Sequence, residues 1–120
     1  MTTTRRDWNE TEQRAISLAY CIMLSAQQRG EKFNKSAIRR ELRGTEQDQG
    51  PLYFRSNGSL EAKLMNCSAA AESLGMPIVK GYKPASNYQK ALSYYMAESW
   101  RLVSDDTEHG IATEINVAVA

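Results

Sequence analysis

Three glycines fix where regular structure in this chain has to stop. Gly30, Gly44 and Gly75 each follow a run with no glycine or proline, and each run begins beside a residue able to cap a helix. Asn9 precedes Glu10 to Arg29, Asn34 precedes Lys35 to Arg43, and Asn57-Gly58 leads into Ser59 to Leu74. A short polar side chain before the first turn accepts a backbone N–H that has no partner inside the helix. A glycine after the last turn takes the left-handed conformation without a Cβ penalty. The spacing therefore predicts helices over those three runs, and Glu12, three residues past Asn9, completes a capping box for the first. A fourth helix is predicted from about Tyr88 to Val103, capped by Asn87 or Ser86.

Between these runs the chain changes character. Thr45 to Asn57 carries Gln, Asp, Gly and Pro51 and is expected to be a loop, with Leu52, Tyr53 and Phe54 tucked into the core. Met76 to Val79 reads as extended, and Lys80 to Pro84 as a turn. Gly110 to Ala120 leans towards β, as a strand or the start of a linker. Helical periodicity assigns inner faces: Ala15, Ala19, Ile22, Met23 and Ala26 with Ile16 and Tyr20 beside them; Ile38 and Leu42; Leu60, Leu64, Cys67, Ala71 and Leu74; and Tyr88, Leu92, Tyr95, Ser99 and Leu102. The fold class expected is mainly α: one four-helix domain with a looped helix-turn-helix-like arrangement and a short β turn or wing. Its core spans about residues 8 to 104, and 105 to 120 form an acidic tail or linker.

At 120 residues the chain is expected to bury a core without a disulfide or metal staple. No apolar run approaches the roughly 20 residues of a membrane span. No apolar stretch follows Arg5 and Arg6, so no signal peptide is expected and the expected location is the cytoplasm. Cys21 and Cys67 fall in helical patterns and are expected to be buried thiols.

Net charge is only +1, but its distribution is uneven. Arg29, Lys32, Lys35, Arg39, Arg40 and Arg43 crowd one stretch against Glu31 and Glu41, while the C-terminal quarter is acidic. At about 100° per residue, Lys35, Arg39 and Arg43 line up, Arg40 borders the arc, and Ile38 and Leu42 point the other way. Such a row suits phosphate contacts on duplex DNA, or else is a solvated face partnered by Glu41. The third helix has an outer face of small groups: Ser59, Ala62, Asn66, Ala69 and Ser73, flanked by Lys63. A flat face of this kind fits a DNA groove or a neighbouring helix, and Asn66 is the candidate for an adenine edge. Lys80, Tyr82 and Lys83 on the turn are candidates for a second phosphate contact.

Catalysis finds little in the sequence. There is one histidine, His109, and no Cys-x-x-Cys, His-Glu-x-x-His, phosphate-binding glycine loop or Gly-x-Ser-x-Gly. Asp105, Asp106 and Glu108 lack the spacing of a calcium loop. The expectation is a chain without catalytic residues, metal or cofactor.

Arg55-Ser56-Asn57-Gly58-Ser59 with Lys63 and Asn66, then Leu74-Gly75-Met76-Pro77-Ile78, Gly81-Tyr82-Lys83-Pro84 and Asn87-Tyr88-Gln89, form a recognisable series. With Trp8, Glu12, Tyr20 and Phe33-Asn34-Lys35, it resembles the N-terminal domain of bacterial restriction-type proteins, among them HNH endonucleases and related modification-dependent nucleases. The resemblance covers roughly Trp8 to Met96. It implies a DNA-binding or target-recognition module beside a nuclease domain, with double-stranded DNA, base-modified or not, as partner. On that reading Lys35, Arg39, Arg40, Arg43 and Lys63 contact phosphates, Arg55, Ser56, Ser59 and Asn66 lie near the DNA, and Tyr82 and Lys83 support from the turn. The sequence departs from the pattern in having no His-Asn-His set, and the acidic Thr45 to Gly50 stretch falls where a tighter connection belongs. Whether it is an excised accessory domain or a stand-alone relative stays open. The competing expectation is a protein-interaction module that uses the same flat face to dimerise or to bind a nuclease partner.

Overall fold

The structure, a computed structural model, describes residues 7 to 106. It is mainly helical: α1 (Glu10–Gln28), α2 (Lys35–Arg43), α3 (Asn57–Ser73) and α4 (Ala91–Asp106). The stretches expected to form a C-terminal strand and to carry His109 and the acidic cluster's side chains lie outside what is described. So does the N-terminal segment that was read for a signal peptide.

α1 is the central element, packed by α4, α3 and α2. It starts with the expected capping box: Asn9 Oδ1 accepts from Glu12 N, and Glu12 Oε1 accepts from Asn9 N. From Ile16 to Ala26 every residue except Leu18 is buried, so this helix has an inside on nearly every side rather than one stripe. Ile16, Tyr20, Met23 and Leu24 meet Leu52, Leu60, Leu64, Cys67, Leu92 and Met96 in one apolar cluster. Burying each large aliphatic side chain stabilises the fold by roughly 1.5–3 kcal/mol.

Tyr20 ties three segments together. Its hydroxyl pairs with Ser68 Oγ at 2.7 Å and accepts from Val79 N at 2.9 Å. Gln27, two turns on, gives Nε2 to Ile78 O and takes Lys80 N on Oε1. These two side chains occupy the backbone groups of residues 78 to 80 that a neighbouring strand would need. The stretch is accordingly no strand and no wing; among the described residues only an isolated bridge, Gly44 with Gln49, has β pairing. That bridge closes the α2–α3 connection. A Cβ on Gly50 would meet Leu42 O, and one on Gly44 would meet Asp48 O, so the tight return depends on both glycines.

Several expectations need correction. α3 begins at Asn57 rather than at Ser59, and Ser56 caps it: its hydroxyl accepts from Ser59 N. α4 begins at Ala91 instead of Tyr88, because residues 85 to 89 are held elsewhere: Ala85 N donates to Met65 O, and Gln89 Nε2 to Trp8 O. The inner face of α4 is Leu92, Met96, Ser99 and Val103, while Leu102 is half exposed. Leu74 is likewise exposed at the end of α3. Phe54 points outward at 77% exposure, with Tyr53 packed edge-on against it at 5.0 Å; only Leu52 of that trio enters the core. Cys21 and Cys67 are buried free thiols as expected. Burial pushes Cys21 up to about 12 and Cys67 well above its ordinary value. No helix among the described residues is long and apolar enough to cross a membrane.

Candidate nucleic-acid interface

The residues singled out from the sequence fall into two groups, on opposite sides of α3. The first joins α2 to the turn after Val79. Tyr82 is its centre: Arg39 Nη1 donates to the Tyr82 hydroxyl at 3.2 Å, and Lys35 Nζ lies 4.4 Å from the ring centroid. Lys35 also donates to Lys80 O, across Gly81. A Cβ on Gly81 would collide with the Lys35 ammonium, and φ there is +94°, so only glycine lets the lysine lie flat on the turn. Arg39 reaches further, to Asn57 Oδ1 at 3.0 Å, and sits 3.8 Å from Glu61. Burial raises the Tyr82 phenol above its usual value, with Arg39 opposing.

This network leaves other cations unengaged. Lys32, Arg40 and Lys83 are exposed, and none has a hydrogen-bond or carboxylate partner among the described residues. Arg43 differs: it is half-buried at the end of α2 and its Nε is buried without an acceptor among the described residues. The α2 surface is thus a rigid centre, Lys35–Tyr82–Arg39, with free cations around it.

The second group lines a groove of about 1180 Å³ between the 54–56 turn, α3 and residues 87 to 89. Arg55, Ser56, Ser59, Lys63 and Asn66 all line it, together with Trp8 and Phe54. Its two cations are buried, whereas those on α2 range from half-buried Lys35, Arg39 and Arg43 to exposed Arg40. Arg55 forms a bidentate pair with Glu12, Nε to Oε2 at 2.9 Å and Nη2 to Oε1 at 2.8 Å, and also donates to Asp7 O. The Trp8 ring lies 4.6 Å from the Arg55 guanidinium carbon and 5.1 Å from Lys63 Nζ. Lys63 reaches Gln89 Oε1 at 3.3 Å, and burial lowers its pKa below the usual lysine range. Asn66 spends its amide on Ala85 O at 2.6 Å, and Ala69 is covered. The flat face of α3 is therefore partly overlaid by the chain's own 85 to 89 segment.

Arg39 and Asn66 do not share a side. Arg39 meets α3 at Asn57 and Glu61, nine and five residues before Asn66, which puts Asn66 about 180° and 140° round the helix. Sequence reasoning gave no place at the site to four residues: Trp8 and Gln89, which line the groove, and Glu12 and Gln13 behind it. Glu12, read only as a capping residue, pairs with Arg55, and Gln13 and Gln89 both donate to Trp8 O. The contacts between Arg55 and Glu12 span 43 positions, beyond any local pattern. Among the described residues no three His, Cys, Asp or Glu side chains converge. Comparison with protein-family models, with curated proteins and with solved structures finds no match to this chain.

Proposed function

We propose that the chain is a nucleic-acid-binding module whose α2 surface lies against the phosphates of duplex DNA. The observation that carries this reading is the Lys35–Tyr82–Arg39 cluster. It fixes the basic helix to the 80–83 turn and surrounds it with unpaired cations at Lys32, Arg40 and Lys83. Phosphate contacts of this type are sequence-independent and position the protein on the backbone. Lys35 and Arg39 act as the fixed points, and Arg40, Lys32 and Lys83 as the exposed charges around them. Arg55 is assigned away from phosphate contact, since Glu12 already neutralises it. Asn66 is assigned away from base reading by this surface, since it lies across α3. Extended along the resemblance read from the sequence, to accessory domains of restriction-type nucleases, the proposal is a defence-related DNA-recognition role.

Duplex titration followed by fluorescence anisotropy tests the reading, comparing the chain with its Arg40→Ala/Lys83→Ala variant. Both cations are exposed, so the fold is expected to survive. The affinity of the variant should fall, and its salt dependence should be shallower by about 0.9 in slope for each phosphate that is no longer neutralised. An unchanged slope would remove those residues from the interface.

A further inference from the structure

The groove on the other side of α3 has a feature that the α2 surface lacks: a buried ammonium with no carboxylate in direct contact, Asp7 and Glu12 acting on it only from a distance. Lys63 is only 7% exposed and lines the groove, yet no carboxylate oxygen lies within 4.0 Å of its ammonium among the described residues. Glu12 is taken up by Arg55, and Asp7 stands on the rim. A buried cation costs free energy unless it is paired, and Gln89 Oε1 at 3.3 Å with the Trp8 face are weak substitutes. An ammonium has three donors; one protein acceptor leaves it able to take an anion from the open side.

Two further observations define the anion's chemistry. The first turn of α3 opens at the same groove through Ser56, Gly58 and Ser59. It contains no acidic residue, and the backbone N–H groups of Asn57 and Gly58 have no acceptor among the described residues. Free amides at a helix N-terminus beside a lysine and two hydroxyls match a phosphate better than a carboxylate. At the lip stands Phe54, an aromatic ring exposed at 77% with its edge steadied by Tyr53. An exposed ring next to a phosphate site suits the face of a nucleobase.

We infer that this groove binds one nucleotide unit, with Lys63 and the start of α3 on the phosphate and Phe54 stacked on the base. The unit comes either from a free mononucleotide or from an unpaired strand; the chemistry is shared. The groove and the α2 surface lie on different sides of α3 and meet at its first residue, where Arg39 holds the Asn57 side chain.

Trp8 reports on the groove directly. In a Trp100→Phe background it is the only tryptophan, so its fluorescence follows occupancy. The probes are adenosine monophosphate, adenosine, inorganic phosphate and a short single-stranded oligodeoxyadenylate. Adenosine monophosphate should give a saturable change, with adenosine and phosphate each at least about tenfold weaker. Lys63→Gln should lose at least about tenfold in affinity, and Phe54→Ala at least about fivefold. Arg40→Ala/Lys83→Ala, at exposed cations that do not line the groove, should leave mononucleotide binding unchanged, which separates this site from the duplex surface. Tighter binding of the oligomer assigns the unit to a strand, and tighter binding of the monophosphate assigns it to a free nucleotide. The inference is overturned by no saturable response to either, or by full affinity in Lys63→Gln. If Lys63→Gln loses its helical signal, the exposed Phe54→Ala and the ratio of monophosphate to adenosine decide, and equal affinities overturn it.

Discussion

The α2 surface and the Trp8 groove flank the same helix and draw on the same residue types, arginine, lysine and an aromatic ring. On α2, Tyr82 holds Lys35 and Arg39 while their neighbours stay in solvent. In the groove, Trp8 lies beside Arg55 and Lys63, and both cations are removed from water. The difference lies in where the counter-charge comes from. Glu12 supplies it for Arg55 from inside the fold, whereas on the α2 surface Arg39 only approaches Glu61 at 3.8 Å, and Lys32, Arg40 and Lys83 have no carboxylate among the described residues. A cation's role is therefore set by the acid within reach and not by the basic residue alone.

Breaking the internal pair should have the largest effect. Glu12→Gln keeps an acceptor for the Asn9 capping box but leaves Arg55 buried without its carboxylate, and should cost about 3–5 kcal/mol in urea unfolding. A cost below about 1 kcal/mol would show that Arg55 is effectively solvated and that the two surfaces differ less than described. Tyr20→Phe, which removes the hydroxyl that joins α1 to Ser68 and to Val79 N, should cost about 1–3 kcal/mol. An unchanged urea midpoint would mean the 76–79 stretch is held by other interactions.

A smaller effect is expected from alkaline pH. Both buried thiols have raised values in the fold, Cys21 up to about 12, while the unfolded chain ionises near 9.0. The folded state then holds protons that the unfolded state releases, so stability is fully present below about pH 9 and is lost as pH rises towards 12. Urea midpoints measured from about pH 7 to 10 should decline at the upper end, and a rising midpoint would contradict the burial of these thiols. The smallest stability effect belongs to the α2 side. Arg39→Ala removes the bonds to Asn57, Ser36 and the Tyr82 hydroxyl and the 3.8 Å approach to the exposed Glu61, and should cost about 1 kcal/mol.

The parts of the fold that local chemistry decides could be read in advance. Asn9, Asn34, Gly30, Gly44 and Gly75 mark helix ends, and the first two helices match their predicted spans to within a residue. What could not be read depends on distant partners. Leu102 has the right spacing for an inner face, but α4 is rotated so that Met96 and Val103 turn inward. Residues 88 to 90 carry a helical pattern, yet Gln89 is drawn to Trp8 and Lys63 from 81 and 26 positions away. The candidate site divides in the same way. The row Lys35, Arg39 is periodic and visible. The pairing that sequesters Arg55, and the helix that separates Arg39 from Asn66, are properties of the packed chain.

Duplex binding across a salt series is the most direct test of the central claim, with the unaltered chain beside its Lys35→Ala/Arg39→Ala variant. The account predicts measurable binding at low salt whose log affinity falls linearly with log salt concentration, and weaker binding with a shallower slope in the variant. No binding to any duplex at low salt, or identical slopes for the two proteins, would contradict it.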